Sequence, residues 1–168
     1  LSAAGIEVRN DIEFARPGGE PLLMDAHIPP GTGPHAAVIL VHGGGWTTGT
    51  KQANFIQPLF EPLDESGLAW FSIDYRLAPK HPYPAAVRDV EAAIRFVKTH
   101  AKDYRIDPKR IALMGESAGG HRYDELFYRY QREGALRSAR QVVPHAARVA
   151  PATRPLPGSR AWARTTRP

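Results

Sequence analysis

The chain of 168 residues contains no cysteine, and this absence excludes several kinds of site at once. Without thiols there is no disulfide framework, no thiol nucleophile, no zinc ribbon and no cysteine-ligated iron–sulfur cluster. The histidines do not replace them, because His27, His35, His81 and His100 lack the HExxH or i, i+4 spacing of metal ligands. We therefore expect hydrogen-bonded or solvated roles for these side chains, and neither a metal nor a cofactor.

Long apolar runs are also missing. No stretch approaches the roughly 20 apolar residues of a membrane-spanning helix, so we expect no membrane span. The sequence begins at Leu1 and shows no basic and then apolar leader. A removed signal peptide and a trimmed chain are equally compatible with this start, so we expect a soluble protein and leave its compartment open between the cytoplasm and secretion after signal-peptide removal. The phosphate-binding patterns G-x-x-x-x-G-K-[ST] and G-x-G-x-x-G do not occur, which argues against a phosphate cradle.

The charge balance changes abruptly at residue 120. Residues 1–120 carry 12 Lys and Arg against 14 Asp and Glu, whereas residues 121–168 carry 10 Arg, no Lys and 3 acidic residues. Aliphatic periodicity fades at the same point. We therefore divide the chain into residues 1–120, which have the pattern of a globular domain, and residues 121–168, an Arg-, Ala- and Pro-rich tail that is helical only at its start.

The order of the predicted strands is that of an α/β protein. Two extended segments, Ile6–Ala15 and Leu22–Ile28, flank a turn cluster at 16–20 and predict an antiparallel hairpin. Three apolar runs predict buried strands of a parallel sheet: Ala36–Val41, Leu68–Ile73 and Ile111–Met114.

Two segments between these strands have helical spacing. One runs from Lys51 to Ser66, with apolar residues on one face in spite of two prolines. The other begins with Pro84 in the first helical position. Its apolar stripe comprises Val87, Val90, Ile94 and Val97. Strands that alternate with helices predict a mostly parallel sheet, which the chain enters through the antiparallel hairpin.

Residues 115–119 read Gly-Glu-Ser-Ala-Gly and match the pattern G-x-S-x-G. In this pattern small flanking residues let a nucleophilic serine occupy a tight turn between a strand and a helix. The motif follows the predicted strand Ile111–Met114 directly, as the chemistry requires, because the hydroxyl must project from the carboxyl end of a sheet strand. Ser117 is therefore the candidate nucleophile.

The segment His42-Gly43-Gly44-Gly45-Trp46 also begins where a predicted buried strand ends. Consecutive glycines leave backbone N–H groups uncovered, so that these groups can converge on a developing oxyanion. The alternative interpretation is a flexible Gly-rich turn.

Together with Asp74-Tyr75-Arg76-Leu77-Ala78-Pro79, these two segments resemble a known family. The sequence is similar to α/β-hydrolase-fold carboxylesterases, and most of all to the hormone-sensitive-lipase-type and acetyl-xylan-esterase-like bacterial esterases, whose motifs read HGGG, DYRLAP and GDSAGG. The resemblance covers about residues 6–120, and Glu116 replaces the Asp of the last motif. It implies that residues 1–120 are the N-terminal part of an α/β-hydrolase domain whose sheet is truncated after the nucleophile turn.

The resemblance also implies roles for individual residues. Ser117 resembles the acylated nucleophile, and the N–H groups of Gly43, Gly44 and Ala118 resemble the oxyanion hole. The strand before His42 neighbours the strand before Ser117 in this family, which would bring both motifs to one cleft. Trp46 lines the acyl pocket or packs beneath the glycine loop. The implied reaction is hydrolysis of a small-molecule ester, and the same site suits an amidase or peptidase.

A base and an acid for Ser117 are not evident. In the family the acid and then the histidine follow the nucleophile on loops after later strands. After Ser117 this sequence offers His121 and His145, with Asp124, Glu125 and Glu133 as carboxylates. An Asp124/His145 dyad is the candidate pair, with His145 as the base. The alternative is a catalytically crippled fragment without a complete triad.

The tail itself has several interpretations. The replacement of lysine by arginine after residue 120 resembles translation of a GC-rich gene in the wrong frame. A truncated sheet would expose an apolar edge and favour oligomers or aggregates. Leu126–Tyr130 is an aromatic and basic cluster for which packing in a helix is favoured over stacking on bases, and we expect no nucleic-acid partner.

Four polar residues receive structural roles. We expect Asp74 and Arg76 to anchor a loop by ion pairing, and Asp89 and Asp107 to cap or turn the backbone.

Overall fold

A computed structural model of the chain describes residues 5–115. Ser117, Ala118, His145 and the whole tail at 121–168 lie outside the described residues. The elements within that range are listed in chain order: β1 Glu7–Ala15, β2 Leu22–Ile28, β3 His35–Val41, α1 Phe60–Glu65, β4 Ala69–Ile73, α2 Ala85–Thr99 and β5 Ile106–Gly115. Short 3-10 turns at Pro17–Gly19 and Gln57–Leu59 precede β2 and α1.

The described strands form one five-stranded sheet in the order β1-β2-β4-β3-β5. β1 pairs with β2 and β2 pairs with β4 in antiparallel registers, whereas β3 pairs in parallel with both β4 and β5. β2 is therefore the only described strand that runs against the others. This arrangement confirms the α/β-hydrolase prediction of a parallel sheet that the chain enters through an antiparallel hairpin.

Strand β3 is buried on both faces, as its uninterrupted apolar run predicts. Ala37, Ile39 and Val41 belong to the larger hydrophobic cluster, which α2 covers. Val38 and Leu40 point to the opposite face, where they pack in a second cluster together with Leu63 of α1. Side chains alternate between the faces of a strand, so both layers of the core are built on this one segment.

Helix α2 also forms as predicted. Val90, Ile94 and Val97 are fully buried against the sheet, and Val87 packs at the edge of the same cluster. Pro84 is the capping residue before the helix and not its first helical position, because the helix begins at Ala85. No helix that the structure describes within residues 5–115 is long and apolar enough to cross a membrane.

The prediction of one helix from Lys51 to Ser66 is wrong. Only six residues form an α-helix there, Phe60–Glu65. Each proline lacks an N–H donor and clashes with the preceding turn, so Pro58 and Pro62 allow only a 3-10 turn and a short helix that follows it. Phe55 is consequently 42% exposed and does not join the buried face.

Candidate active site

The carboxyl ends of two parallel strands meet where the two sequence motifs begin. Val41, the last residue of β3, pairs with Gly115, the last residue of β5. The glycine segment at 42–45 leaves one strand at this point, and the G-x-S-x-G pattern starts at the other. Ligands of open α/β sheets bind outside the carboxyl ends of the strands, and this edge is therefore the candidate site.

The loop after β3 has a conformation that two of its glycines make possible. Gly44 has φ +105°, and a Cβ atom there would lie 2.1 Å from the Thr48 carbonyl oxygen. That close approach arises because the Gly44 carbonyl accepts hydrogen bonds from the N–H groups of Thr47 and Thr48, both at 3.2 Å. Gly49 has φ +112° and leaves room for the His42 ring, whose Nδ1 would be 2.5 Å from a Cβ. The loop is thus a tight, defined turn.

The predicted oxyanion donors are not used elsewhere in the part of the chain that the structure describes. Neither the Gly43 nor the Gly44 N–H donates a hydrogen bond to another residue within 5–115. Gly43 is buried and Gly44 is partly exposed. That these two N–H groups bind an oxyanion stays a prediction.

The side chain of His42 is buried beside the loop. Its Nδ1 lies 2.8 Å from the Gly43 carbonyl oxygen, and since a carbonyl only accepts, Nδ1 carries the proton. Nε2 is then the unprotonated nitrogen, and it is buried with no hydrogen-bond partner among the described residues. Burial lowers the pKa of His42, although the Gly43 bond and the charge of Asp74 oppose the shift. His42 is thus a neutral structural side chain at neutral pH.

Tyr75 packs against the other side of this histidine. Its hydroxyl donates to the His42 carbonyl oxygen at 2.8 Å and lies 3.3 Å from the Gly43 carbonyl oxygen. The two rings stack with their centroids 4.2 Å apart. Burial raises the pKa of Tyr75 to about 12, which keeps the phenol protonated as a donor.

Lys51 fastens the loop to the neighbouring strands. Its ammonium contacts Asp25 of β2 at 2.7 Å and Asp11 of β1 at 2.9 Å. Its backbone N–H donates to Asp74 at 2.7 Å, and its carbonyl accepts from the Ser72 hydroxyl at 2.6 Å. Burial alone would lower the pKa of Lys51, but the bonds to Asp25 and Asp11 outweigh it and the pKa is raised.

The acidic residues near the site have structural partners. Asp89 holds Arg76 through the guanidinium, at 2.8 Å from Nη2, and through the backbone N–H at 2.9 Å. Arg76 thus forms the ion pair that we expect, whereas Asp89 serves as its partner and not as a cap. Asp74 anchors the loop through the Lys51 N–H and forms no ion pair within residues 5–115, and burial raises its pKa. Asp107 lies within β5 and not in a turn, and it accepts a hydrogen bond from the Lys109 N–H at 2.9 Å.

A cleft of about 300 Å³ adjoins the glycine loop. Apolar and aromatic side chains line it together with one guanidinium and one imidazole. The lining residues are Gly45, Trp46, Arg76, Ala78, His81, Tyr83, Ala86 and Val87. Trp46 also contacts Tyr75, with ring centroids 5.9 Å apart, and its carbonyl accepts from the Ala78 N–H. Trp46 therefore lines the cleft and packs against Tyr75, and its contact with an acyl group stays a prediction.

The scattered histidines of the described range differ in their hydrogen-bond partners. His27 bonds to Asp64, His81 to Glu20 and His100 to the Phe96 carbonyl. Within the described range the side-chain Nε2 of His35 is buried and has no partner, contrary to expectation. Residues 5–115 contain no group of three His, Asp or Glu side chains that could hold a metal ion.

The structure brings together only part of the predicted site. Gly43, Gly44 and Trp46 lie at the edge described above, whereas Ser117, Ala118 and the proposed base His145 fall outside the described residues, as do His121 and Asp124. Sequence reasoning missed Tyr75 and Lys51 as supports of the loop. The DYRLAP segment contains Tyr75 and was a signal for it, whereas nothing in the sequence pattern marked Lys51.

Comparisons with known proteins agree with this geometry. Residues 24–123 match the family BD-FAE. Carboxylesterase NlhH of Mycobacterium tuberculosis (strain CDC 1551 / Oshkosh) is 42% identical over 84 residues, which cover 50% of this chain and 26% of that protein. Carboxylic ester hydrolase LipN of M. tuberculosis (strain ATCC 25618 / H37Rv) is 38% identical over 112 residues, which cover 66% of this chain and 29% of that protein.

Solved esterase structures share the fold. The carboxylesterase EstE1, cloned from a metagenomic library, superposes with a TM-score of 0.68 at 30% identity, over 77% of this chain and 44% of that chain. Bacterial heroin esterase gives a TM-score of 0.68 at 32% identity, over 80% of this chain and 42% of that chain. The chain spans less than a third of the curated relatives and less than half of these solved chains. The match over residues 24–123 covers more than half of the chain, which therefore belongs to the BD-FAE family of hormone-sensitive-lipase-type α/β-hydrolases.

Proposed function

We propose that this protein hydrolyses small carboxylic esters through an acyl-enzyme on Ser117. The pairing of Val41 with Gly115 carries the proposal, because it puts the starts of both motifs at neighbouring strand ends. Ser117 follows Gly115 by two residues, and two residues of chain span at most about 7.2 Å, so we propose that Ser117 acts beside the glycine loop.

The chemistry follows from these groups. The Ser117 oxygen attacks the ester carbonyl while its proton passes to a base, for which His145 is the candidate. The N–H groups of Gly43, Gly44 and Ala118 stabilise the oxyanion of the tetrahedral intermediate. Collapse of the intermediate expels the alcohol, which takes up the proton, and leaves an acyl-serine. Water then attacks the acyl group and releases the carboxylic acid.

The cleft beside the loop supports a substrate with a small apolar group. Trp46, Ala78 and Val87 give it apolar walls, and its volume of about 300 Å³ suits a short acyl or alcohol group. We assign it as the pocket for one side of the ester.

The test compares p-nitrophenyl acetate hydrolysis by the chain with that by Ser117→Ala and by the matched control Ser66→Ala, whose serine is exposed at the end of α1. We expect Ser117→Ala to abolish hydrolysis and the mass increase after a fluorophosphonate, and Ser66→Ala to leave both unchanged. Equal buffer-level rates for all three would refute the proposal in favour of a chain that binds acyl ligands without turnover. Faster cleavage of p-nitroanilides than of esters would favour the amidase alternative.

A second property follows from the sheet. β5 pairs only with β3 among the described strands, so we propose that its outer edge promotes self-association of the chain. Gel filtration of the purified chain tests this, and a monomer at all concentrations would refute it.

A further inference from the structure

We propose that Tyr75 is a positioning residue for the oxyanion hole: its hydroxyl holds the two carbonyls whose peptide groups also carry the Gly43 and Gly44 donors. The inference rests on the proposed function, since it assigns a role in stabilising the same oxyanion. Tyr75 does not touch the substrate in this scheme and acts only through the loop.

Peptide planarity connects the observed bonds to the donors. The His42 carbonyl and the Gly43 N–H belong to one planar peptide group, and the Gly43 carbonyl and the Gly44 N–H belong to the next. In a trans peptide the N–H points opposite to the C=O. Both carbonyls face the Tyr75 hydroxyl, at 2.8 and 3.3 Å, so both N–H groups face away from it. One hydroxyl thus sets the direction of both predicted donors.

The two carbonyls are not held equally. A phenol has one proton, so the bond to the His42 carbonyl at 2.8 Å is the main one and the contact with the Gly43 carbonyl is the weaker branch of a three-centre bond. His42 provides the second restraint on the Gly43 carbonyl, because its Nδ1–H donates to that oxygen at 2.8 Å. The Gly43 donor therefore depends chiefly on Tyr75, and the Gly44 donor on Tyr75 and His42 together.

Tyr75 is itself rigidly placed. It is 4% exposed, lies two residues after the end of β4, and its ring is stacked on His42. The Ala78 N–H donates to the Trp46 carbonyl at 2.8 Å and ties the segment after Tyr75 to the glycine loop. Because packing holds the ring, removal of the hydroxyl alone changes the restraint on the carbonyls and little else.

Tyr75→Phe is therefore the informative variant, and Tyr104→Phe is its matched control. Tyr104 is equally buried at 4% exposure, but it lies beyond α2 and packs on Phe71 and Arg9, away from the loop. We expect Tyr75→Phe to lower kcat for p-nitrophenyl acetate by about 10- to 100-fold, since misplaced donors cost roughly this much. KM should stay within about twofold, and Tyr104→Phe should change neither constant.

A trifluoromethyl ketone that forms an oxyanion with Ser117 gives a second readout. Its affinity should fall by the same factor as kcat/KM, whereas a merely destabilising substitution would lower the melting temperature without this parallel loss. An unchanged kcat in Tyr75→Phe, with hydrolysis still dependent on Ser117, would overturn the inference and leave the proposed function intact.

Direct measurement of the donors tests the inference even where the chain does not turn over substrate. Residual dipolar couplings of the ¹⁵N-labelled chain report the direction of each N–H, and relaxation gives order parameters near 0.85 for rigid amides. We expect the Gly43 and Gly44 amides to reorient or loosen in Tyr75→Phe, with the larger effect at Gly43, and to be unchanged in Tyr104→Phe. Identical couplings in both variants and the unmodified chain would refute the positioning role.

Discussion

Substitution of Gly44 by alanine should damage the loop after β3 through two separate effects. The first is the backbone conformation: φ is +105° at this residue, and a residue with a Cβ atom in such a region costs about 1–3 kcal/mol. The second is the contact with the Thr48 carbonyl oxygen, which a Cβ atom would approach to 2.1 Å. This oxygen must retreat by at least about 1.3 Å to reach an ordinary separation.

The retreat has its own energetic cost. The Thr48 N–H donates to the Gly44 carbonyl, so movement of Thr48 breaks that bond at about 1 kcal/mol. The total is about 2–4 kcal/mol, which corresponds to roughly 4–15 °C in melting temperature for a chain of this size. Because the shift also displaces the Gly43 and Gly44 N–H groups, we expect the esterase rate to fall by about 100-fold.

Gly67→Ala is the matched control. Gly67 has φ +70°, but nothing lies within 4 Å of a Cβ there, so only the backbone effect applies, at about 1–2 kcal/mol. Thermal unfolding followed by circular dichroism measures both variants, and p-nitrophenyl acetate hydrolysis follows the rate. Equal melting temperatures for the two variants would show that the loop yields without cost, and would refute the reasoning from the Thr48 contact.

Three further substitutions and one control variant test residues around the site. Lys51→Met should lower the unfolding free energy by about 3–5 kcal/mol in urea titrations, because it leaves the buried Asp25 carboxylate without its counter-charge. The control Lys80→Met removes an exposed ion pair and should lower the unfolding free energy by less than about 1 kcal/mol. Burial lowers the pKa of His42, so the unfolded chain binds a proton at higher pH than the folded chain does. The unfolding free energy should therefore decrease below about pH 6.5, by at most about 1.4 kcal/mol per pH unit. His42→Asn should flatten that decrease. Trp46→Ala should widen the cleft and shift the preference among p-nitrophenyl esters toward longer chains, and an unchanged chain-length profile would contradict its assignment.

The parts of the fold that depend on local pattern could be predicted from the sequence. An apolar run such as Val38–Val41 has few alternatives to a strand buried on both faces, and the spacing of Val90, Ile94 and Val97 suffices for a helix with one buried face. The adjacency of the glycine loop and the Gly115 segment followed from the family resemblance, and the pairing of β3 with β5 confirms it.

The supports of the site could not be predicted in the same way. Lys51 and Asp25 are 26 residues apart, and Tyr75 and His42 are 33 apart, so only the folded sheet brings them together. The short α1 also escaped prediction, because apolar spacing at 55, 59 and 63 indicates a helix regardless of the prolines that interrupt its hydrogen bonds.

The ion pair between Lys51 and Asp25 makes the antiparallel hairpin part of the architecture of the proposed active site. The hairpin supplies no group to the proposed chemistry, yet β2 provides the carboxylate that neutralises the cation at the base of the glycine loop. A shortened or chimeric protein that began at β3 would keep both sequence motifs but lose the Asp25 carboxylate that neutralises Lys51. The smallest portable unit for engineering therefore begins at β1, where Asp11 supplies the second carboxylate.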